Sequence, residues 1–264
     1  MNTLSKIAFA ATAVLLQSSA RADDGRWIYS TGVDYSTGDY GEAQDTTIVT
    51  VPLAAGYVGD RWSATLTVPL VSVDGPGTIV PGGIGGGGPL GGLLGGDAAN
   101  KVPPVGGVSE VGLGDVSLEV SAVPFVSDGG TQLSLTGRVR APTGGDGLGT
   151  GEAAASVSAG LRDPIGARAA WFASVGYEQA FEGGGSGAIA GVGAESYVSE
   201  HVLAGATLEF TQASSELRRD AAQAGAYVGF DLSKDSRLVA YGAAGLSDTS
   251  PDVQAGLRLT FAGN

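Results

Sequence analysis

Residues 252–261 read DVQAGLRLTF, and polar and apolar side chains alternate along this stretch without a break. One face carries valine, alanine, two leucines and phenylalanine, while the other carries aspartate, glutamine, glycine, arginine and threonine. A period of two is typical of a β-strand that has one apolar and one polar face. About ten residues is also the length of a tilted strand that crosses a lipid bilayer. The stretch therefore predicts a membrane-spanning strand that closes a β-barrel.

Eleven earlier segments alternate in the same way. They are 27–35, 47–57, 62–70, 116–122, 133–141, 153–161, 169–177, 188–197, 202–210, 224–230 and 238–246. With the last stretch they make twelve, an even number, as in bacterial single-chain barrels. Tight turns alternate with generally longer loops between them, which is the asymmetry of outer-membrane barrels. We therefore predict an all-β fold: an antiparallel transmembrane β-barrel of about 12 strands, with short periplasmic turns and long extracellular loops.

A soluble β-sandwich is the main alternative, because its strands also alternate. A sandwich would bury its apolar face in a core of bulky side chains. Here the apolar face is rich in alanine, glycine and valine, which suits contact with lipid. Aromatic residues also lie near the ends of the predicted strands, as in the girdles of membrane barrels. They are Trp27, Tyr35, Tyr57, Trp62, Trp171, Tyr177, Phe210, Phe230 and Phe261.

The N-terminus has the three parts of a secretory signal peptide. Lys6 is a short basic region, residues 7–16 are mostly apolar, and residues 20–22 form an A-x-A cleavage site. A membrane anchor is the alternative, but about ten apolar residues are too few to span a bilayer. We expect residues 1–22 to be cleaved and residues 23–264 to form a single barrel domain in the cell outer membrane. Its expected partners are outer-membrane lipid, lipopolysaccharide and, during biogenesis, the barrel assembly machinery.

The composition argues against catalysis, cofactors and nucleic acid. The chain has no cysteine and a single histidine, His201, which falls in a predicted periplasmic turn. Thiolate and histidine-rich metal sites are therefore excluded. The formal net charge is −13, whereas the phosphates of nucleic acids require a basic surface. We expect a protein that is not an enzyme, holds no cofactor or metal, and binds no nucleic acid.

Residues 73–109 form a long predicted extracellular loop that departs from the alternation. Within it, residues 80–96 read VPGGIGGGGPLGGLLGG, a Gly-rich, apolar and uncharged segment. Gly-rich chains are flexible. Two interpretations stay open for residues 82–96. The segment folds into the mouth and narrows the pore or contacts a hydrophobic solute, or it is a disordered external loop.

Charged residues on the polar faces of the strands are the candidate functional residues. A charged side chain facing lipid costs about 2–4 kcal/mol for arginine at mid-depth, so we expect these residues to face the lumen. Inside a barrel they can line a pore and set its selectivity, or pair with one another and plug it. Twelve strands leave a modest bore, so both interpretations stay open. The pore-lining candidates are Asp34, Asp115, Glu119, Arg138, Arg140, Glu178, Glu195, Glu209, Asp231 and Arg258.

Two further stretches carry a family resemblance. Residues 111–118 read VGLGDVSL and residues 141–151 read APTGGDGLGTG. They resemble the G-x-G-D-x-x-L strand opening and the P-T-G…G-T-G loop of the outer-membrane proteins labelled "MetA-pathway of phenol degradation". The resemblance covers about residues 111–181, and the Gly-rich loop and the three residues after Phe261 depart from the family's pattern. It implies an outer-membrane barrel that helps small, often hydrophobic or aromatic, compounds to cross.

These observations lead to two functional hypotheses. The first is an outer-membrane channel or passive transporter for small solutes, hydrophobic or aromatic compounds among them. The second is a structural or surface-interaction barrel with a plugged lumen, whose acidic loops bind a ligand. Conductance separates the two, because only an open path through the barrel passes ions.

Overall fold

The computed structural model describes residues 25–77, 79–80, 99–100, 108–181, 185–213 and 220–263. The predicted signal peptide at residues 1–22 lies outside the described residues. The Gly-rich segment 82–96 also lies outside them, so both interpretations of that segment stay predictions. The part of the chain that the structure describes contains no helix long and apolar enough to span a membrane.

The described residues form fifteen strands, most of them 10 to 14 residues long. The strands are β1 (Arg26–Gly38), β2 (Thr46–Val58), β3 (Trp62–Gly75), β4 (Ile79–Val80), β5 (Ala99–Asn100), β6 (Val108–Leu113), β7 (Val116–Val126), β8 (Gln132–Ala141), β9 (Ala154–Ile165), β10 (Ala169–Ala180), β11 (Ser186–Tyr197), β12 (Val202–Ala213), β13 (Ala221–Ser233), β14 (Ser236–Gly245) and β15 (Val253–Ala262).

The wall of the barrel is a closed antiparallel ring. Each long strand pairs with its neighbours in the chain, and β1 pairs with β15 from Ile28 opposite Ala262 to Thr37 opposite Val253. Strands β6 and β7 both pair with β3, so they are two parts of one wall strand and the wall has twelve. The short strands β4 and β5 pair only with each other. Closure satisfies the backbone of every wall strand within the sheet, which is what a bilayer requires.

The two faces of the wall have opposite chemistry, as the alternation predicts. Large apolar side chains stand exposed on the outside, such as Val175, Leu208 and Leu257, while polar and charged side chains are buried inside. At the end of the barrel that carries the short turns, the outward rings of Trp27 and Trp62 both lie 5.6 Å from the ring of Tyr57. This cluster is an aromatic girdle of the kind found at a membrane interface. The predicted fold class is confirmed.

Several strands extend beyond the limits predicted from the sequence. Strand β3 continues to Gly75 and β6 begins at Val108, so the connection between them is 76–107 rather than the predicted 73–109. Strand β9 continues to Ile165, through residues that were expected to form a turn. The ladder of backbone hydrogen bonds continues past the lipid-facing stretch, where a clean apolar face is no longer needed. Alternation therefore underestimates strand length.

A β-bulge separates β6 from β7. Leu70 of β3 lies opposite Leu113, whereas Thr67 lies opposite Ser117. Two residues of β3 therefore face three residues of the neighbouring strand, 114–116, and one residue is extra. As a result Gly114 and Asp115 are consecutive and both buried in the interior.

Candidate functional site

All ten candidate residues lie on the inner face of the wall, and most of them form ion pairs there. The inner ion pairs are Asp34 with Arg258 (3.2 Å), Glu119 with Arg138 (3.4 Å), Asp231 with Arg237 (2.5 Å), Glu195 with Arg162 (2.7 Å), and Arg140 with both Glu178 (3.4 Å) and Asp115 (3.9 Å). Glu209, the tenth candidate, accepts a hydrogen bond of 3.1 Å from the Gln223 amide. The structure thus brings the candidates together in local groups along the wall.

Arg162 and Arg237 belong to this set but were not among the candidates. Arg162 fell in a predicted turn, and Arg237 immediately preceded a predicted strand. Arg162 lies two residues from the inward-facing Gly160, and Arg237 lies two residues from the inward-facing Val239. Extending each predicted strand by a few residues would therefore have placed both arginines on the inner face.

Glu195 is the centre of a hydrogen-bonded group that joins β9, β11 and β13. These three strands do not pair directly with one another. Arg162 donates to Oε1 from Nε (3.1 Å) and Nη2 (2.7 Å), and the Tyr227 hydroxyl donates to Oε2 (2.7 Å). In the register, Glu195 lies opposite Ala170 on one side and Gly205 on the other. These small residues leave room for Arg162 and Tyr227 to reach across β10 and β12. Charge-assisted hydrogen bonds of this kind fix side chains in one arrangement.

Large inner side chains lie over glycines of the next strand. Phe172 is directly opposite Gly193, and Tyr241 is directly opposite Gly256. A Cβ added at Gly193 would lie 2.4 Å from the Phe172 ring, and one at Gly256 would lie 2.3 Å from the Tyr241 hydroxyl. The rings therefore run along the wall instead of projecting across the lumen. Covering a strand glycine with an aromatic ring also compensates for its missing side chain.

Two halves of the inner wall differ in side-chain size and in access to solvent. On β10–β15 large inward side chains are buried over glycines and other small residues, and we call this the packed half-wall. Its main members are Phe172, Glu178, Glu195, Tyr227, Arg237, Tyr241 and Arg258. On β1–β3 and β7–β9 a row of small hydroxyl residues remains partly accessible, and we call this the Ser/Thr half-wall. Its members are Ser30, Thr50, Thr67, Ser117, Thr136, Ser156 and Ser158. The hydroxyl residues of this row are thus more accessible than the large side chains of the packed half-wall.

The Glu119–Arg138 pair lies on this accessible side. The two residues are directly opposite each other on β7 and β8. Their side chains are 15% and 23% exposed, and Arg138 is the most exposed of all the inner charged side chains described above. A charge on the solvent side of the lumen acts on passing ions, whereas a charge in a packed ion pair acts mainly on its partner.

The two ends of the barrel carry different charge. Among the described residues at the end with the long loops there are ten acidic side chains and no lysine or arginine. The acids are Asp39, Glu42, Asp45, Asp74, Glu110, Asp146, Glu152, Asp220, Asp248 and Asp252. At the other end, the described basic residues Arg26, Arg61, Arg168 and Lys234 lie among acidic ones. The described part of the mouth with the long loops therefore has a negative potential.

Asp115 holds the loop between β8 and β9. Its Oδ1 accepts from the Gly144 backbone N–H (2.9 Å), and its Oδ2 accepts from the backbone N–H (2.8 Å) and the hydroxyl (2.9 Å) of Thr150. A Cβ added at Gly149 would lie 2.3 Å from Oδ1, so only glycine fits there. The G-x-G-D and P-T-G…G-T-G stretches are thus two parts of one hydrogen-bonded unit. The sequence did not indicate that they contact each other.

An apolar cluster lies inside the barrel at the same end. It contains Leu148 from the β8–β9 loop together with Tyr40, Ile48, Val71, Val73 and Ile79, all of them buried. We call this set the mouth cluster. Its members come from two long strands and from three connections between strands, so it ties the loops to the inner wall.

Comparisons with known structures agree with the closed barrel. The chain is similar to a COG4313 outer membrane channel from Pseudomonas putida F1, with a TM-score of 0.69 and 15% identity over 93% of this chain and 100% of that chain. It is similar to the KdgM porin in complex with disordered oligogalacturonate (TM-score 0.52, 6% identity, 88% and 99% covered). It is also similar to the translocator domain of the autotransporter NalP from Neisseria meningitidis (0.51, 12%, 95% and 91%).

The fold is therefore that of the outer-membrane β-barrels, and the similar structures are a channel, a porin and a translocator domain. At such low identities the likeness establishes the fold alone. Protein-family models give no match to the sequence, and the curated proteins give none either.

Proposed function

We propose that the protein is an outer-membrane channel that lets small solutes cross passively along the Ser/Thr half-wall. The observation that carries this proposal is the asymmetry of the lumen. Small hydroxyl side chains on six wall strands remain accessible inside a barrel whose opposite side is packed. Hydroxyl groups can replace part of the hydration of a passing solute, which is what a permeation path requires.

The solutes that fit this path are small and either neutral or positively charged. The acidic mouth attracts cations and repels anions before they reach the lumen. For this reason we do not extend to this chain the oligogalacturonate of the KdgM porin, which is a polyanion. The resemblance to the phenol-degradation family adds hydrophobic or aromatic compounds to the solutes that we propose.

The same proposal includes the place of the protein in the cell. The exposed apolar outer face and the girdle around Tyr57 suit a lipid bilayer. With the predicted signal peptide they support the outer membrane as its location. Lipid and lipopolysaccharide then surround the barrel, and the barrel assembly machinery inserts it.

A structural barrel with a filled lumen is the second candidate, and the packed half-wall favours it. Ion pairs such as Arg237 with Asp231 occupy space that an open pore would leave to water. In this case the acidic loops, rather than the lumen, would carry the function.

Conductance of the refolded barrel tests the two candidates directly. Residues 23–264 are refolded in detergent, checked for the heat-modifiable mobility of a closed barrel, and inserted into a planar bilayer in potassium chloride. A channel gives discrete conductance steps, and its reversal potential in a salt gradient shows preference for potassium. A folded and inserted barrel that stays silent contradicts the channel and favours the structural candidate.

A further inference from the structure

We propose that the loop between β8 and β9 is a fixed constriction of the extracellular mouth, and that the buried side chain of Leu148 holds the loop in this position. The inference rests on the proposed channel function, because a constriction has a role only where solutes move. Leu148 is then a positioning residue, and it belongs to a loop other than the Gly-rich one that the sequence singled out.

The loop leaves the wall and runs inside the barrel. A Cβ added at Gly112 would lie 2.7 Å from Leu148 Cδ1, and one at Gly114 would lie 3.2 Å from the Leu148 carbonyl oxygen. Gly114 is buried in the interior beside Asp115, so Leu148 lies on the lumen side of this strand. Strand β8 ends at Ala141, and among the described strands β6 pairs with β3 alone. The loop therefore does not continue the sheet but folds inward from it.

Hydrogen bonds from both ends of the loop fix it in this position. Besides the three donors to Asp115, the Thr143 hydroxyl donates to the Gly114 carbonyl (3.2 Å) and accepts from the Val116 backbone N–H (2.9 Å). The Gly145 backbone N–H donates to the Leu113 carbonyl (3.2 Å). Hydrogen bonds to an ionised carboxylate are stronger than neutral ones. The β-bulge creates this anchor, because the extra residue turns Asp115 toward the loop.

Leu148 packs the loop against nearby strands of the mouth. It is 5% exposed and packs in the mouth cluster with Ile48 of β2 and with Val71 and Val73 of β3. This contact lays the loop over the inner face of β2 and β3, which belong to the Ser/Thr half-wall along which the proposed path runs. Because the side chain is buried, it acts by keeping the loop inside the mouth, where the loop backbone reduces the cross-section that is open to solutes.

The experiment compares Leu148→Ala with Leu135→Ala in planar bilayers and in liposome swelling with arabinose, a small neutral sugar. Leu135 is on β8 but faces outward and is 47% exposed, so it loses the same atoms outside the lumen. We expect Leu148→Ala to raise conductance and arabinose permeation about twofold, because the loop loses its packing against the wall and is held less firmly inside the mouth. Leu135→Ala should leave both unchanged. Leu148→Met, which nearly conserves volume, should restore wild-type values.

Asp115→Asn provides a second, independent route to the same constriction. The asparagine amide cannot accept hydrogen bonds on both of its terminal atoms, so at least one loop contact is lost. We expect larger conductance with more frequent transitions between levels, since the loop loses a hydrogen bond and is held less firmly. If this variant fails to fold, Leu148→Ala still tests the proposal.

The outcomes separate the failure of this inference from the failure of the proposed function. If the wild-type barrel conducts and Leu148→Ala leaves conductance and arabinose permeation unchanged, the inference is overturned while the channel stands. If the wild type and both variants are silent, the channel and the inference both fall. A silent wild type with a conducting Leu148→Ala variant supports the constriction and shows that it closes the mouth completely.

Discussion

The packed half-wall and the Ser/Thr half-wall are built from the same kind of strand, yet they differ in what their inward residues do. On β10–β15 large side chains lie over glycines and join into groups such as the one around Glu195. On β1–β3 and β7–β9 small hydroxyl residues leave space beside a partly exposed ion pair. Outside, both halves present apolar side chains to lipid.

The difference indicates that the two halves of the ring have different roles. A small barrel needs inner side chains that hold its wall in register, and it also needs room if a solute is to cross. The buried aromatic rings and ion pairs on β10–β15 provide the first, and the hydroxyl row on the other half, where ion pairs are also present, leaves room for the second. The comparison predicts that mutations in the packed half-wall reduce stability, whereas mutations in the Ser/Thr half-wall change permeation.

Removing the carboxylate of Glu195 should have the largest effect on stability. Glu195→Ala leaves Arg162 without its ion-pair partner and Tyr227 without its acceptor. Loss of one partner from a buried pair typically costs about 3–5 kcal/mol. The measurement is urea-dependent unfolding in lipid vesicles, followed by tryptophan fluorescence.

Glu119→Ala is the matched control for Glu195→Ala, because it removes the same carboxylate from the more exposed pair. We expect it to cost about 1 kcal/mol or less, as is usual for solvent-accessible ion pairs. Equal losses for the two variants would contradict the division between the halves.

Adding a methyl group at Gly205 should have a smaller but clear effect. A Cβ there would lie 2.5 Å from the Tyr227 hydroxyl, so the ring must move and its 2.7 Å hydrogen bond to Glu195 is strained or lost. Overpacking of this kind typically costs about 1–3 kcal/mol. The displaced ring should also narrow the lumen, so both unfolding and conductance are measured on Gly205→Ala.

Gly137→Ala is a control that should change stability in the opposite direction to Gly205→Ala. Gly137 is on β8, and a Cβ added there would meet nothing within 4 Å. Replacing such a glycine commonly stabilises a protein by about 0.4–1 kcal/mol, since the unfolded chain loses freedom. Destabilisation by both variants would show that glycine is needed for strand geometry in general rather than for the aromatic contacts.

The sequence was sufficient to predict the twelve strands and the inward direction of the ten charged candidates. Both follow from a period of two, which a lipid-facing strand must keep. The pairing of the charges could not be predicted, because a period of two fixes the face of a side chain but not the register of its strand. Arg162 lies opposite Phe172, whereas Glu195 lies opposite Ala170, so the Arg162 side chain reaches Glu195 diagonally across β10, and only the register shows this.

The role of Asp115 shows a second limit of the alternation. Its parity predicts an inward carboxylate, which is correct, but the bulge that aims it at Thr150 adds one residue that no periodic pattern contains. The inward fold of the β8–β9 loop depends on this anchor. For that reason the sequence pointed to the unusual composition of residues 82–96 instead of to residues 142–153.

Replacing Arg138 should have the smallest effect on stability and a clear effect on selectivity. Arg138→Ala removes the most exposed inner cation and leaves Glu119 facing the solvent in the lumen. The permeability ratio of potassium to chloride should rise about twofold, since the local charge of the path becomes negative. The measurement is the reversal potential in a potassium chloride gradient.

Arg138 is a clearer test of the path than its neighbour Arg140. Arg140 approaches both Asp115 and Glu178, so removing it disturbs the loop anchor as well as the charge of the lumen. Lys234→Ala is the control, because this lysine also carries one positive charge but is 89% exposed in a turn. If Arg138→Ala and Lys234→Ala shift the reversal potential equally, ions respond to the total charge of the protein and not to the Ser/Thr half-wall. A shift confined to Arg138→Ala would place the path beside β7 and β8, because charge is screened within about 10 Å at 0.1 M salt.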